Sequence, residues 1–269
     1  MDETVSKTLS TYQQLVAESL PNFLEGLYLY GSVALDDYVP GKSDIDFIAI
    51  SRQRADPNEL QRLSRIHRML KASHPRANLS GIYVSWDDVG KNRQQIPPFP
   101  YVDQNRFHEQ GLYELNEVTW WQLKHKSVWV CGKPQEEIDL RIGVRQLQKS
   151  ITLNAKNYWQ PWIRRHSRAW SYQGWALACL PRLVEWGVTT VSRQFYTLST
   201  GDVTSKTTAT NYCLRHLPTR HHRLLNEVLE IRNGDSIGPV SFSWRRKNAA
   251  IDYMKYVYSE CEHQNLFRE

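Results

Sequence analysis

Residues 29–50, LYGSVALDDYVPGKSDIDFIAI, hold the pattern on which the reading of the chain turns. Residues 26–32 read as a short aromatic and aliphatic strand ending in a Gly-Ser turn, and 45–50 read as a second strand. Eleven residues separate Ser32 from Asp44. Asp44 and Asp46 lie two apart at the start of that second strand, so both carboxylates point to one face and Ile45 and Phe47 to the other. Two adjacent carboxylates repel each other unless a cation lies between them. Hard oxygen ligands on a rigid edge suit Mg²⁺, which also binds nucleotide phosphates. The turn offers N–H groups and the Ser32 hydroxyl to phosphate oxygens, and glycine is expected at Gly31 because a side chain would block that approach. A bare Asp-x-Asp is common on surface loops; the whole spacing is much stricter.

Outward from this stretch the first half alternates helix and strand. Val5, Leu9, Tyr12, Val16 and Leu20 step at helical spacing and Pro21 closes the helix. Leu60, Leu63, Ile66, Met69 and Leu70 form the apolar stripe of a helix over 57–73, and 79–86 and 128–131 read as strands. The Pro-rich segment 96–100 is expected to be an irregular loop. Beyond Lys133-Pro134 the pattern is helical throughout. One helix carries Val144, Leu147, Ile151, Ala155 and Tyr158, interrupted near its end by Pro161. Another carries Val184, Val188, Val191, Phe195 and Leu198 and stops at Gly201. Segments 207–217, 221–232 and 245–263 follow as helices. The expected architecture is an α/β domain with a small mixed sheet, residues 1–138, followed by an all-α helical bundle, residues 139–269.

Composition narrows the class. Apolar residues are 41% and charged residues 23% of 269, ordinary soluble usage that excludes wholesale disorder. No run of about 18 apolar residues is present, which excludes a membrane-spanning helix. The N-terminus has no apolar signal core, and the four cysteines show neither zinc nor disulfide spacing. A cytoplasmic monomer is expected. Charge divides unevenly: residues 1–138 carry 15 Lys and Arg against 18 Asp and Glu, whereas 139–269 carry 19 against 10. A basic half is suited to phosphate. Its run from Trp159 to Trp170 interleaves aromatics with arginines, as single-strand nucleic-acid binders do. No RRM, KH or OB signature accompanies it, so nucleic acid is not the expected partner.

The motif from Tyr30 to Phe47 resembles the signature of the nucleotidyltransferase superfamily of the DNA polymerase β type. Residues 29–50, together with 188–218 (VTTVSRQFYTLSTGDVTSKTTATNYCLRHLP), are similar to segments of the streptomycin/spectinomycin adenylyltransferases. The resemblance implies transfer of AMP from ATP to a hydroxyl of an aminoglycoside or aminocyclitol, with release of pyrophosphate. It implies two Mg²⁺ ions on Asp44 and Asp46, and nucleotide contacts from Gly31, Ser32, Ser192, Arg193 and Lys206, with the helical domain closing the cleft. Alternatives within the same chemistry are another small molecule, a protein or an RNA end as acceptor, or a decayed homologue that only binds ATP.

Two departures from the family pattern bear on the acceptor. The general base expected on the third strand falls at Ser80, and a serine cannot take that proton near neutral pH unaided. Asp87, Asp88, Glu109 and Glu114 are the nearby acids, and catalysis by positioning and metal electrostatics alone is the other solution. The acid that meets the drug in the helical domain falls at Leu183, with Glu185 the acid near it. Candidate acceptor contacts are therefore Trp86, Glu109, Glu114, Trp120 and Glu185. Gly41-Lys42-Ser43 fails as a phosphate-binding loop because the required first glycine is Asp36.

Overall fold

A computed structural model describes residues 1–168, 171–234 and 241–268. The chain divides into two compact units, Met1–Ile142 and Gly143–Glu269. Trp170, the end of the aromatic and basic run, lies outside the described residues.

In the first unit α1 (Glu3–Ser19) starts at Asp2, whose carboxylate accepts from the N–H groups of Thr4 and Val5. β1 (Leu24–Tyr30) passes into a single helical turn, α2 (Gly31–Ala34), and then a loop to β2 (Ile45–Ser51). α3 (Pro57–Ser73) opens with a reciprocal Asp56–Glu59 capping box and Pro57 in its first turn. It carries the chain to β3 (Leu79–Ser85), which lies parallel to β2. β4 (Phe99–Asp103), β5 (Arg106–Gly111), α4 (Glu117–His125) and β6 (Val128–Gly132) complete the unit. The sheet order is β5-β4-β3-β2-β1-β6, and β2–β3 is its parallel pair.

Alternation along the strands builds a core on each face. Leu27, Leu29, Ile45, Phe47, Leu79 and Tyr83 meet Val5, Leu9 and Tyr12 of α1 and Leu63, Ile66 and Leu70 of α3. Tyr28, Tyr30, Ile48, Ile50, Ile82 and Val84 meet Trp120 and Leu123 of α4 on the other. Asp46 shares this second face, at the end of the row.

The Pro-rich segment departs from expectation. It leads into a hairpin, β4–β5, whose tip residues Gln104 and Asn105 both have positive φ (46° and 64°), as a two-residue turn of the primed type requires. Pro100 disguises the strand: it has no N–H for a ladder, and the β4–β5 register shifts between Phe99 and Tyr101. The first strand also ends two residues sooner than expected, at Tyr30.

The second unit is helical: α5 (Val144–Asn154), α6 (Gln160–Ser167), α7 (Tyr172–Cys179), α8 (Pro181–Thr200), α9 (Lys206–His216), α10 (His222–Asn233) and α11 (Trp244–His263). Pro161 does not end the first of these. A π-helical turn at Ala155–Trp159 intervenes, and Pro161 then sits in the first turn of α6, where a missing N–H costs little. α7 was not legible as a separate helix. α8 ends at Gly201 with φ 74°, the expected left-handed stop. Among the described residues no helix is long and apolar enough to cross a membrane.

Candidate active site

The Gly31 turn and the Asp46 strand are built around each other. Tyr30 pairs with Asp46 across β1 and β2, so Gly31 leaves β1 beside the carboxylate. A Cβ on Gly31 would lie 2.0 Å from Asp46 Oδ2, and Gly31 has φ 64°. Space and backbone conformation both demand glycine here. The sequence had offered room for phosphate as the reason; in the structure the first neighbour is Asp46 itself.

Hydrogen bonds fix the rest of the turn. Gly31 N–H donates to Oε1 of Gln122, a buried side chain of α4, at 3.1 Å. Ser32 Oγ donates to the Asp44 carbonyl at 3.2 Å, tying the turn to the start of β2. Gln122 escaped sequence analysis; its signal was an amide inside the apolar run Trp120-Trp121-Gln122-Leu123. The Gly31 N–H, expected to face phosphate, is thus engaged within the protein.

Acidic groups gather on the same face. Tyr30 is buried, and its hydroxyl donates to Glu114 Oε2 at 3.5 Å. Burial first, then the charges of Asp46 and Glu114, hold the Tyr30 phenol well above its ordinary pKa, so it stays a neutral donor. Tyr113 donates to Asp103 Oδ1 at 3.2 Å and is likewise held protonated, by burial and by Glu114 and Asp103. Neither Tyr113 nor Asp103 was singled out in the sequence, because Asp103 follows the segment read as irregular.

The other acceptor candidates disperse. Trp120 is buried and its indole N–H donates to the Lys91 carbonyl at 2.9 Å, so it is a core residue rather than an acceptor contact. Glu109 of β5 lines a groove with Asn58, Gln61, Arg62, Arg65 and Arg68 of α3, on the sheet face opposite Asp46. It is not brought to this site. Asp88 is buried in a cap, accepting from Ser85 and from Arg54 at 2.5 Å, whereas Asp87 is exposed. Trp86 is half-buried, with Lys133 Nζ 5.8 Å from its ring centre.

Asp44 and Asp46 are the candidate metal ligands. Among the described residues no group of three or more His, Cys, Asp or Glu could hold a metal ion. The chemistry of two carboxylates, one at the start of β2 and one just before it, still fits Mg²⁺, which binds through one or two protein carboxylates and completes its octahedron with water and phosphate oxygens. They do not fit a closed zinc site.

In the second unit, α8 carries Glu185 and, eight residues on, Arg193. Glu185 Oε1 lies 3.7 Å from Lys206 Nζ, at the start of α9, and 3.5 Å from Arg232 Nη1 of α10. These distances mark ion pairs without close hydrogen bonds. Glu185 is thereby committed to two cations, one of them an expected phosphate ligand. Arg232 was missed by sequence reasoning. Ser192 corrects another expectation: it is fully buried, its hydroxyl bonded to Tyr253 Oη at 2.6 Å and the Val188 carbonyl at 2.8 Å. It packs α8 against α11 and offers no hydroxyl to a nucleotide.

A mixed sheet with a Gly-Ser turn beside the strand-borne Asp46, and Asp44 the loop residue just before that strand, is the arrangement expected of a nucleotidyltransferase domain, and residues 13–87 match the family described by that name. Residues 177–257 match the C-terminal domain of aminoglycoside adenylyltransferases. The spectinomycin 9-adenylyltransferase of Campylobacter jejuni is 24% identical over 254 residues, covering 87% of this chain and 88% of that protein. The crystal structure of spectinomycin adenyltransferase AAD(9) from Enterococcus faecialis, with ATP and spectinomycin, superposes with a TM-score of 0.66 at 16% identity. The match covers 94% of this chain and 99% of that one. The chain thus resembles the aminoglycoside adenylyltransferases in both of its units.

Proposed function

We propose that this protein transfers AMP from ATP to a hydroxyl of an aminoglycoside or aminocyclitol antibiotic and releases pyrophosphate. The observation that carries the reading is the Gly31–Asp46 pair: a glycine turn in direct contact with a strand carboxylate, with Asp44 two residues before it. A spectinomycin substrate is the specific acceptor favoured by the relatives' names.

Asp44 and Asp46 would hold Mg²⁺, two ions in the full reaction, which offset charge on the triphosphate and at the attacking oxygen. Gln122 fixes the Gly31 turn and Ser32 fixes the entry to β2, so the carboxylates keep their positions without reorganisation. Tyr30, held neutral, orients Glu114. A face bearing Asp46, Glu114 and Asp103 attracts a cationic acceptor. Arg193 and Lys206 are the proposed partners of the nucleotide phosphates. A cytoplasmic monomer completes the proposal.

Pyrophosphate release from MgATP across spectinomycin, streptomycin and related aminoglycosides tests it, beside the Asp44→Asn/Asp46→Asn protein. Acceptor-dependent release that the double variant lacks is expected. Release from no acceptor in the panel sinks the assignment of substrate.

A further inference from the structure

We infer that Asp103 is the general base that takes the proton of the attacking hydroxyl, replacing a carboxylate at Ser80; this rests on the reaction proposed above. The β2–β3 register places Ser80 directly beside Asp46. The β3–β4 register, Gly81 to Val102 and Ile82 to Tyr101, continued by one residue, sets Asp103 opposite Ser80. Tyr30, Asp46, Ser80 and Asp103 therefore form one row across four adjacent strands, on the face of the Gly31 turn. Asp103 stands two strand spacings from Asp46, roughly 10 Å between Cα atoms. Two carboxylates that far apart leave room for a hydroxyl between them.

Ser80 is not idle in this row. Its side chain is buried, and its oxygen accepts the Gln104 N–H at 3.1 Å. The next residue locks the hairpin further. Asn105 Oδ1 accepts from Leu79 N–H at 2.9 Å, and Asn105 Nδ2 donates to the Ala77 carbonyl at 2.7 Å. The tip that follows Asp103 is thereby pinned to the start of β3, with Ser80 as one of the pins. A glutamate at 80 would occupy the place of that contact. Tyr113 completes the arrangement by donating to Asp103 Oδ1, which leaves Oδ2 to accept a proton. Asp103 is half-buried, so a substrate can approach it.

The step balances. The acceptor O–H proton passes to Asp103 Oδ2 while the oxygen bonds to the α-phosphorus of ATP. The bond from that phosphorus to the bridging oxygen of the β-phosphate breaks, and pyrophosphate carries its electrons away. Asp103 then returns the proton to solvent.

Turnover and MgATP binding of Asp103→Asn, Asp103→Glu and Glu114→Gln test the assignment, using the full chain and an acceptor the wild type modifies. Asparagine still accepts the Tyr113 hydrogen bond but not a proton. The expected result is a kcat at least about a hundredfold lower for Asp103→Asn. MgATP affinity should stay within threefold of wild type, and Asp103→Glu should exceed Asp103→Asn in rate. Asp103→Asn turnover within threefold of wild type overturns the proposal, as does loss of MgATP binding, equal slowness of both Asp103 variants, or a larger fall in Glu114→Gln. A wild type that modifies no acceptor overturns the parent reaction instead, and that failure is visible before any variant is made.

Discussion

Gly31 and Asp46 exclude any other residue at position 31: a Cβ there would sit 2.0 Å from Asp46 Oδ2 on a backbone with φ 64°. Gly31→Ala must therefore displace the carboxylate, the backbone turn, or both. The left-handed conformation alone costs an alanine about 1–2 kcal/mol. A displacement near 1 Å at a reacting group costs about a hundredfold in rate. We expect the variant to melt a few degrees lower and to lose about two orders of magnitude in pyrophosphate release. Wild-type turnover in Gly31→Ala would show that the turn does not position the carboxylate.

Asp46 and Asp44 should separate chemistry from folding. Neither is in a core, so replacing either by asparagine removes charge at almost constant shape. Asp44→Asn and Asp46→Asn should each lower kcat at least about a hundredfold. Melting temperatures should stay close to wild type, and the Mg²⁺ concentration for half-maximal rate should rise. Magnesium dependence unchanged in both variants would place the ion elsewhere.

The helix over 57–73 was readable from its apolar stripe, a local period, and the cap that starts it, Asp56, Pro57 and Glu59, lies within four residues. The motif strands were readable because alternation and the Gly-Ser turn are local too. Asp103 was not, because its importance comes from pairing with a strand 23 residues away and from a turn with two non-glycine residues at positive φ. Gln122 and Arg232 share that character: each acts on a distant segment, Gly31 or Glu185, that no periodicity indicates. Ser192 shows the converse error. A matching residue pair in the motif located the helix correctly, but helical rotation turns Ser192 to the core and leaves Arg193 half-exposed.

Glu185 gives a prediction in which the two candidate roles diverge. Lys206→Ala removes a proposed phosphate ligand and should raise the KM for MgATP about tenfold. Glu185→Gln removes the carboxylate that competes for Lys206 and Arg232, and should lower the same KM severalfold while leaving the acceptor KM nearly unchanged. Steady-state kinetics with each substrate varied in turn decides the matter. A raised acceptor KM in Glu185→Gln, with MgATP unaffected, would instead make Glu185 a drug contact.

His67 predicts part of the acid sensitivity of the first unit. It is buried on the face of the sheet away from Asp46, where its Nε2 hydrogen-bonds Tyr83 Oη at 2.6 Å and Tyr83 bonds Tyr12 at 2.7 Å. Burial pushes its pKa down to about 3, against about 6.5 in an unfolded chain. Between those values the unfolded chain binds a proton that the folded protein does not, so stability falls as pH drops from 6.5 towards 3. The slope from this group is at most about 1.4 kcal/mol per pH unit. His67→Phe cannot titrate. It should be less stable than wild type at pH 7, because Tyr83 loses a partner, yet lose less stability per unit on acidification. Denaturant unfolding of both proteins at pH 7, 6, 5 and 4 measures the difference, and parallel acid limbs would rule His67 out as the titrating group.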